Sequence, residues 1–369
     1  MHATLMAATR PCLQLKRNNR MSYVLAHFPI LERLEAAGRP LEKGTQSWMA
    51  KWKDLDLEAP DRFTFPELGG STSITMKVDL AATGKSCGSF QPRNSAGNPY
   101  TEIAYFNLAS ILGWGQLVRP AARYELGPKA SASFRNLIEA NPIKGQQRRQ
   151  NKANILAAIA SGGPLRGAMK AKKPDTAKSL DAIANRAAAH NGAPNTTHPI
   201  IVSVQASSPQ PLAGKSLGLT TGYSGDALEL AREYSILMTL DAIFEQWDRY
   251  SGGNVGIRHD NAGQAHFYAT DNGGAGPSKS ATWADRNLSW FSRYDQTVVN
   301  ELARLADFLN VGGSAYLGYA KPREFIEDLG LYFDLSADEY VVRMARNISK
   351  LLSRVNAQQA KYGSGAFLR

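Results

Sequence analysis

Phe244-Glu245-Gln246-Trp247-Asp248-Arg249-Tyr250-Ser251-Gly252-Gly253-Asn254 is the stretch that decides how this chain reads. It closes a helical run over 226–247, whose apolar stripe is Ile236, Leu240, Ile243, Phe244 and Trp247, with Asp226 placed to cap it. Two strand-like runs follow, 254–257 and 265–270, turned at Asp260-Asn261-Ala262-Gly263. The second delivers Asp271-Asn272-Gly273-Gly274 directly after a strand. The two ends of a hairpin are neighbours, so Asp248, Asn254 and Asp271 can meet at one cleft.

That set is what phosphoryl transfer requires. One carboxylate orients or deprotonates the accepting hydroxyl, while a second carboxylate and an amide oxygen hold divalent metal against nucleotide phosphates. The glycines after Asp271 let the backbone turn sharply and approach phosphate. Taken singly, Asp248 is a helix-end residue and Asp271-Asn272-Gly273 a turn. The order, with a hairpin between, is what points to chemistry.

Outward from this stretch, Ser73 to Asp79 alternates polar and apolar side chains, the period of a half-buried strand. A turn at Ala82-Thr83-Gly84-Lys85 leads to a returning strand over 86–93. Ala104, Leu108, Ile111 and Leu112 predict a helix over 100–112, with Gly113 as its C-cap. Short strands are expected at 117–118 and 124–126, helices at 132–140, 147–160 and 175–190, and a buried strand over 199–205. Residues 22–58 read as one or two short helices, and the chain beyond Trp283 as mostly helical.

These residues resemble a family, the atypical kinases that include HipA-type, actin-fragmin and phosphatidylinositol 4-kinases. The nearest pattern is that of the secretory-pathway group of the Golgi casein kinase, the glycosaminoglycan xylose kinase and Four-jointed. Those proteins carry Asp-Arg-His at a helix end and Asp-Asn-Gly after a hairpin; here the two stretches read Asp248-Arg249-Tyr250 and Asp271-Asn272-Gly273. A second block agrees: the family's Phe-Lys-Pro strand end and Glu-Ile-Ala-Ala-Phe helix start appear as Phe90-Gln91-Pro92 and Glu102-Ile103-Ala104-Tyr105-Phe106. The resemblance covers about 70–128 and 197–280. It implies an α+β, bilobal, atypical kinase-like fold, with a small β-rich N-lobe, a basic helical insertion and a mainly helical C-lobe. It also implies ATP with Mg²⁺ or Mn²⁺, Asp248 as catalytic carboxylate, Asp271 and Asn254 on the metal, Gly273 near phosphate, and Glu102 pairing a lysine or helping to place metal.

The departure is Gln91, which stands where the family's phosphate-anchoring lysine is expected. Glutamine donates a hydrogen bond but brings no charge. Lys77, one strand earlier, is the expected substitute; Lys85 and Arg93 are the other candidates. The alternative is a pseudokinase that binds nucleotide and scaffolds a partner, or a kinase-fold enzyme that transfers AMP or an amino acid, or phosphorylates a sugar or lipid.

The resemblance divides the 369 residues into an N-terminal extension (1–60, with 1–20 expected to be disordered), an N-lobe (61–127), the basic insertion (128–195) and a C-lobe (196–369). Between Lys129 and Arg186 stand twelve basic and three acidic residues, so most of the formal charge of +11 sits in this stretch. A local basic segment suggests a docking surface for an acidic partner over 144–178, or a solvated insertion. Aromatic residues are almost absent there, which argues against stacking nucleic-acid bases. The expected acceptor is a hydroxyl on a protein Ser or Thr. No run of about 18 apolar residues occurs, so no membrane-spanning helix is expected. Basic residues without an apolar core in the first 20 positions argue against a Sec signal peptide, and a bacterial or host cytosol is the expected location. Gly84-Lys85-Ser86 lacks the earlier glycine of a P-loop, since position 79 is Asp79, and the six histidines show no metal-binding spacing.

Overall fold

A computed structural model describes residues 26–59, 61–69, 73–94, 97–185, 192–207, 212–251, 253–276, 281–310, 313–331 and 334–369. The expectation for residues 1–20 lies outside them. Helices α1 (Pro29–Ala36) and α2 (Lys43–Lys53) lead into strands β1 (Phe63–Thr64), β2 (Leu68–Gly69), β3 (Thr75–Leu80) and β4 (Ser86–Pro92). Helix α3 (Pro99–Ile111) follows, then β5 (Ala121–Leu126), α4 (Pro128–Ala140), α5 (Gln146–Ala160) and β6 (Leu165–Lys170). Among the described residues the strands form a six-stranded sheet in the order β1-β3-β4-β6-β5, with β2 also on β3.

The position of β6 changes the sequence reading. Residues 165–170 fall in the stretch assigned to the helical insertion, yet they form the strand between β4 and β5. The insertion is therefore only the α4–α5 pair, carried between two strands of the N-lobe. The register sets Ser89 of β4 opposite both Lys77 of β3 and Lys170 of β6, and Gln91 opposite Ala168. Directly opposed residues share a face, so Lys77, Ser89, Gln91 and Lys170 all lie on one side of the sheet.

Helix α2 packs on this lobe. Trp52 is fully buried, stacks on Phe28 with centroids 6.4 Å apart, and donates its indole N–H to the Cys87 carbonyl at 2.8 Å. Trp52→Ala is expected to cost about 3–5 kcal/mol of stability in urea unfolding, because it opens a cavity and leaves that carbonyl unpaired.

The C-lobe begins with β7 (Lys178–Ser179), β8 (Ala184–Asn185) and β9 (Ala193–Pro194), then α6 (Pro199–Ser203), β10 (Ser216–Thr220), β11 (Tyr223–Asp226) and α7 (Ala227–Ile243). Next come β12 (Val255–His259), β13 (Ala265–Ala269), α8 (Thr282–Leu288), β14 (Tyr294–Asp295), α9 (Gln296–Leu309), α10 (Pro322–Leu329), α11 (Ala337–Tyr362) and β15 (Phe367–Leu368). Two expectations fail here. The helix expected over 175–190 is replaced by β7 and β8 as far as residue 185, with β7 pairing β12; residues 186–191 lie outside the described set. The apolar run at 199–205 is a short helix, because Pro199 starts it and His198 Nδ1 accepts from Ile200 N at 3.3 Å. Short apolar runs are ambiguous between strand and buried helix.

Helices α3 and α7 form the centre of the molecule. Both are buried almost all round, which places them between layers and not on a surface. Asp226 caps α7 by accepting from Glu229 N at 2.9 Å. The helix stops at Ile243, four residues short of the sequence expectation. Glu245 takes a positive φ of 53°, and its buried carboxylate is held by Arg346 at 2.8 Å and Asn347 Nδ2 at 3.0 Å. That turn carries Asp248 out of the helix and into the space between the lobes.

Candidate active site

The β12–β13 hairpin pairs Val255 with Ala269, so its open end brings Asn254 and Thr270 together. Thr270 N donates to Asn254 O at 3.2 Å. Arg249 then ties the loops to the core. Its guanidinium is buried and binds both Asp241 oxygens, at 2.9 Å through Nε and 2.8 Å through Nη2. It also donates to Asn254 O at 2.9 Å, Thr270 O at 3.1 Å and Asn272 Oδ1 at 2.8 Å. One side chain thus fixes the loop before the hairpin and the turn after it. Tyr250, where the family has histidine, bonds Tyr234 and Met238 within the core.

At Asp271 the backbone adopts a left-handed φ of 55°, uncommon outside glycine, and a single 3₁₀ turn follows. This twist leaves Asp271 lining the cleft while Asn272 N turns to Glu102 Oε2 at 3.1 Å. Glu102, in the first turn of α3, pairs through Oε1 with Lys170 Nζ at 3.1 Å; both side chains are buried. Burial opposes ionisation, but Lys170 and then Arg119 hold the Glu102 carboxyl below its ordinary value. The lobes are joined again where Asn98 N donates to Gly273 O at 2.8 Å.

These elements enclose a cleft of about 280 Å³, bordered by Asn254, Thr270 and Asp271 from the C-lobe and by Ser89, Arg119, Lys170 and Lys173 from the other side. Burial, then Glu102, push the Asp271 carboxyl up. Asp248 lies beside this cleft, its carbonyl accepting from Asn254 Nδ2 at 3.0 Å. Its Oδ1 is buried without a partner. Burial, then Asp271, push the Asp248 carboxyl up to about 7. A group poised there takes and gives a proton near neutrality.

Three expected site residues stand elsewhere. Lys77 is half exposed and paired with Glu67, and the cleft is lined without it. The side chain of Gln91 is buried, with neither amide atom partnered; its Nε2 lies 3.1 Å from where a Cβ on Gly97 would stand. Gly273 packs against residues 97 and 98 and does not border the cleft. Of the other two candidates, Lys85 sits in an exposed turn and Arg93 pairs with Asp334. A lysine at the cleft comes instead from β6, Lys170, which sequence reasoning missed because it lies in a basic, alanine-rich run. The glycine that matters for approach is Gly274, where a Cβ would come within 2.7 Å of Asp248 Oδ1. Gly274→Ala is expected to displace that carboxylate and cut turnover about a hundredfold, with nucleotide affinity unchanged in calorimetry.

Hard divalent cations take oxygen ligands, and Mg²⁺ typically uses one or two carboxylates together with water and substrate phosphates. Asp271 and Asn254 suit that role: Asn254 spends its amide N–H on Asp248, which leaves the amide oxygen as the ligating atom. Among the described residues, no group of three or more His, Cys, Asp or Glu side chains could hold a metal unaided.

The architecture has a match among solved structures. The Golgi casein kinase with Mn/ADP bound superposes with a TM-score of 0.53 at 11% identity, over 93% of this chain and 85% of that one. The fold is α+β, bilobal and kinase-like. A second structure of the Golgi casein kinase gives a TM-score of 0.49 at 12% identity, over 95% and 87% of the two chains. No family model and no curated protein matches the chain. The kinase-like fold fits the bilobal layout, with the six-stranded sheet and α3 above the cleft and the helices of the C-lobe below it. Among the described residues, no helix is long and apolar enough to cross a membrane.

Proposed function

We propose that the chain is a metal-dependent phosphotransferase that moves the γ-phosphoryl group of ATP to a hydroxyl, on a protein Ser or Thr. The observation that carries this reading is the unpartnered, buried Oδ1 of Asp248 beside a cleft where Asp271, Asn254 and the Lys170–Glu102 pair converge. The match to a casein kinase with Mn/ADP bound supports the nucleotide, the metal class and the protein acceptor.

In this reading Asp248 receives the hydroxyl proton as the acceptor oxygen bonds to the γ-phosphorus and the bridging P–O bond to the leaving diphosphate breaks. Lys170, held by Glu102, offers positive charge to the phosphates. Asp271 and Asn254 would hold Mg²⁺ or Mn²⁺, which neutralises phosphate charge when bound. Arg249 takes no part in the chemistry; it positions the two loops. Lys170 at the cleft supports an active reading despite Gln91. A docking role for the basic segment applies to α4–α5, because Lys170 and Lys173 belong to the cleft.

Asp248→Asn is expected to keep ATP affinity in calorimetry with Mn²⁺ and to lose phosphoryl transfer by roughly a hundredfold or more. Unchanged transfer in Asp248→Asn would remove Asp248 from the mechanism.

A further inference from the structure

A nucleoside base is normally held between apolar surfaces and read by a few well-placed polar groups, often on the backbone. The cleft offers no such apolar surface. Among the described residues, no aliphatic or aromatic side chain lines it; besides its charged residues and Asn254, the lining is hydroxyls and one glycine. The first residue after β6 is also engaged through its backbone. Ala171 N donates to Pro120 O at 2.9 Å, and Ala171 O accepts from Arg119 Nε. Three residues on, Pro174 has no N–H to give.

What the cleft does offer is positive charge. Arg119, Lys170 and Lys173 all border it, and the hydroxyl of Ser89 is held by Arg119 Nη2 at 3.3 Å. Guanidinium and ammonium groups joined by hydroxyl donors are the chemistry that recognises phosphate oxygens. Asp271 and Asn254 add a place for a cation that phosphate would share.

We propose that the cleft recognises the phosphate chain of its donor and not the base. Its substrate class is then any nucleoside triphosphate, with the base contributing little to affinity. The inference rests on the phosphotransferase reading and narrows it: the donor is chosen by its phosphates.

The test is calorimetry on the full chain with Mn²⁺, titrating ATP, GTP, CTP, UTP, inorganic tripolyphosphate and adenosine in turn. The four triphosphates are expected to bind within about threefold of one another, tripolyphosphate within about tenfold of ATP, and adenosine not at all. ATP binding more than tenfold tighter than the other triphosphates, or measurable binding of adenosine, would overturn the inference while leaving the phosphotransferase standing. Failure of ATP and tripolyphosphate alike to bind would remove the phosphotransferase reading and the inference with it.

Discussion

Lys170→Met is expected to lose both stability and activity, while Lys77→Met loses neither. Lys170 is the buried partner of Glu102, itself 1% exposed. Removing the ammonium leaves a buried carboxylate without its cation, and breaking a buried pair from one side costs about 3–5 kcal/mol. The same change strips charge from the phosphate site, for which a loss of about a thousandfold in transfer is expected. Lys77 and Glu67 are both half exposed, so their pair is screened by water and worth about 1 kcal/mol at most. Urea unfolding and transfer assays on both variants separate the two lysines. The double variant Lys170→Met with Glu102→Gln sharpens the test. It should regain much of the lost stability, since no unpaired charge remains buried, and stay inactive.

Arg249→Met is expected to be the most damaging single change to the fold. Arg249 serves the two oxygens of Asp241, two backbone carbonyls and Asn272 Oδ1, all out of contact with water. The substitution takes the guanidinium from the Thr270 carbonyl, leaves Asn254 O with Thr270 N alone, and leaves Asp241 with Tyr105, whose hydroxyl donates to it at 2.7 Å, as its remaining side-chain donor. A loss of about 5 kcal/mol or more follows, close to the whole stability of an ordinary domain. Soluble yield and thermal unfolding report it directly. Arg249→Lys should recover little, because one ammonium cannot reproduce a planar fork that reaches five acceptors.

The loops were more legible than the lobe above them. Asp248, Asn254 and Asp271 lie in order around a hairpin whose turn residues and alternation are plain, and the structure brings Asn254 and Asp271 to one cleft with Asp248 beside it. The role of Arg249 had a signal that went unused: Asp241 stands in the mostly apolar run 236–243 of α7, where a buried carboxylate must find a cation. Strand β6 had almost no signal. Leu165 to Lys170 contains no β-branched or aromatic residue and sits in a charge-rich run, so only its pairing between β4 and β5 makes it a strand. With β6 unseen, Lys170 read as surface charge, and a cation for the cleft was sought at Lys77, on the far side of β4. The run at 199–205 failed for a different reason, since apolar content alone does not choose between helix and strand.

The central claim is that this cleft moves the terminal phosphoryl group, and two labels test it. The full chain is incubated with Mn²⁺ and either γ-labelled or α-labelled ATP, beside Asp271→Ala, and covalent label on the protein and release of labelled phosphate are measured. The account predicts γ-label transferred by the wild type, none transferred by Asp271→Ala, and no covalent α-label on either. Covalent α-label would make the protein a nucleotidyl transferase; ATP bound without turnover of either label, or full activity in Asp271→Ala, would contradict the account outright.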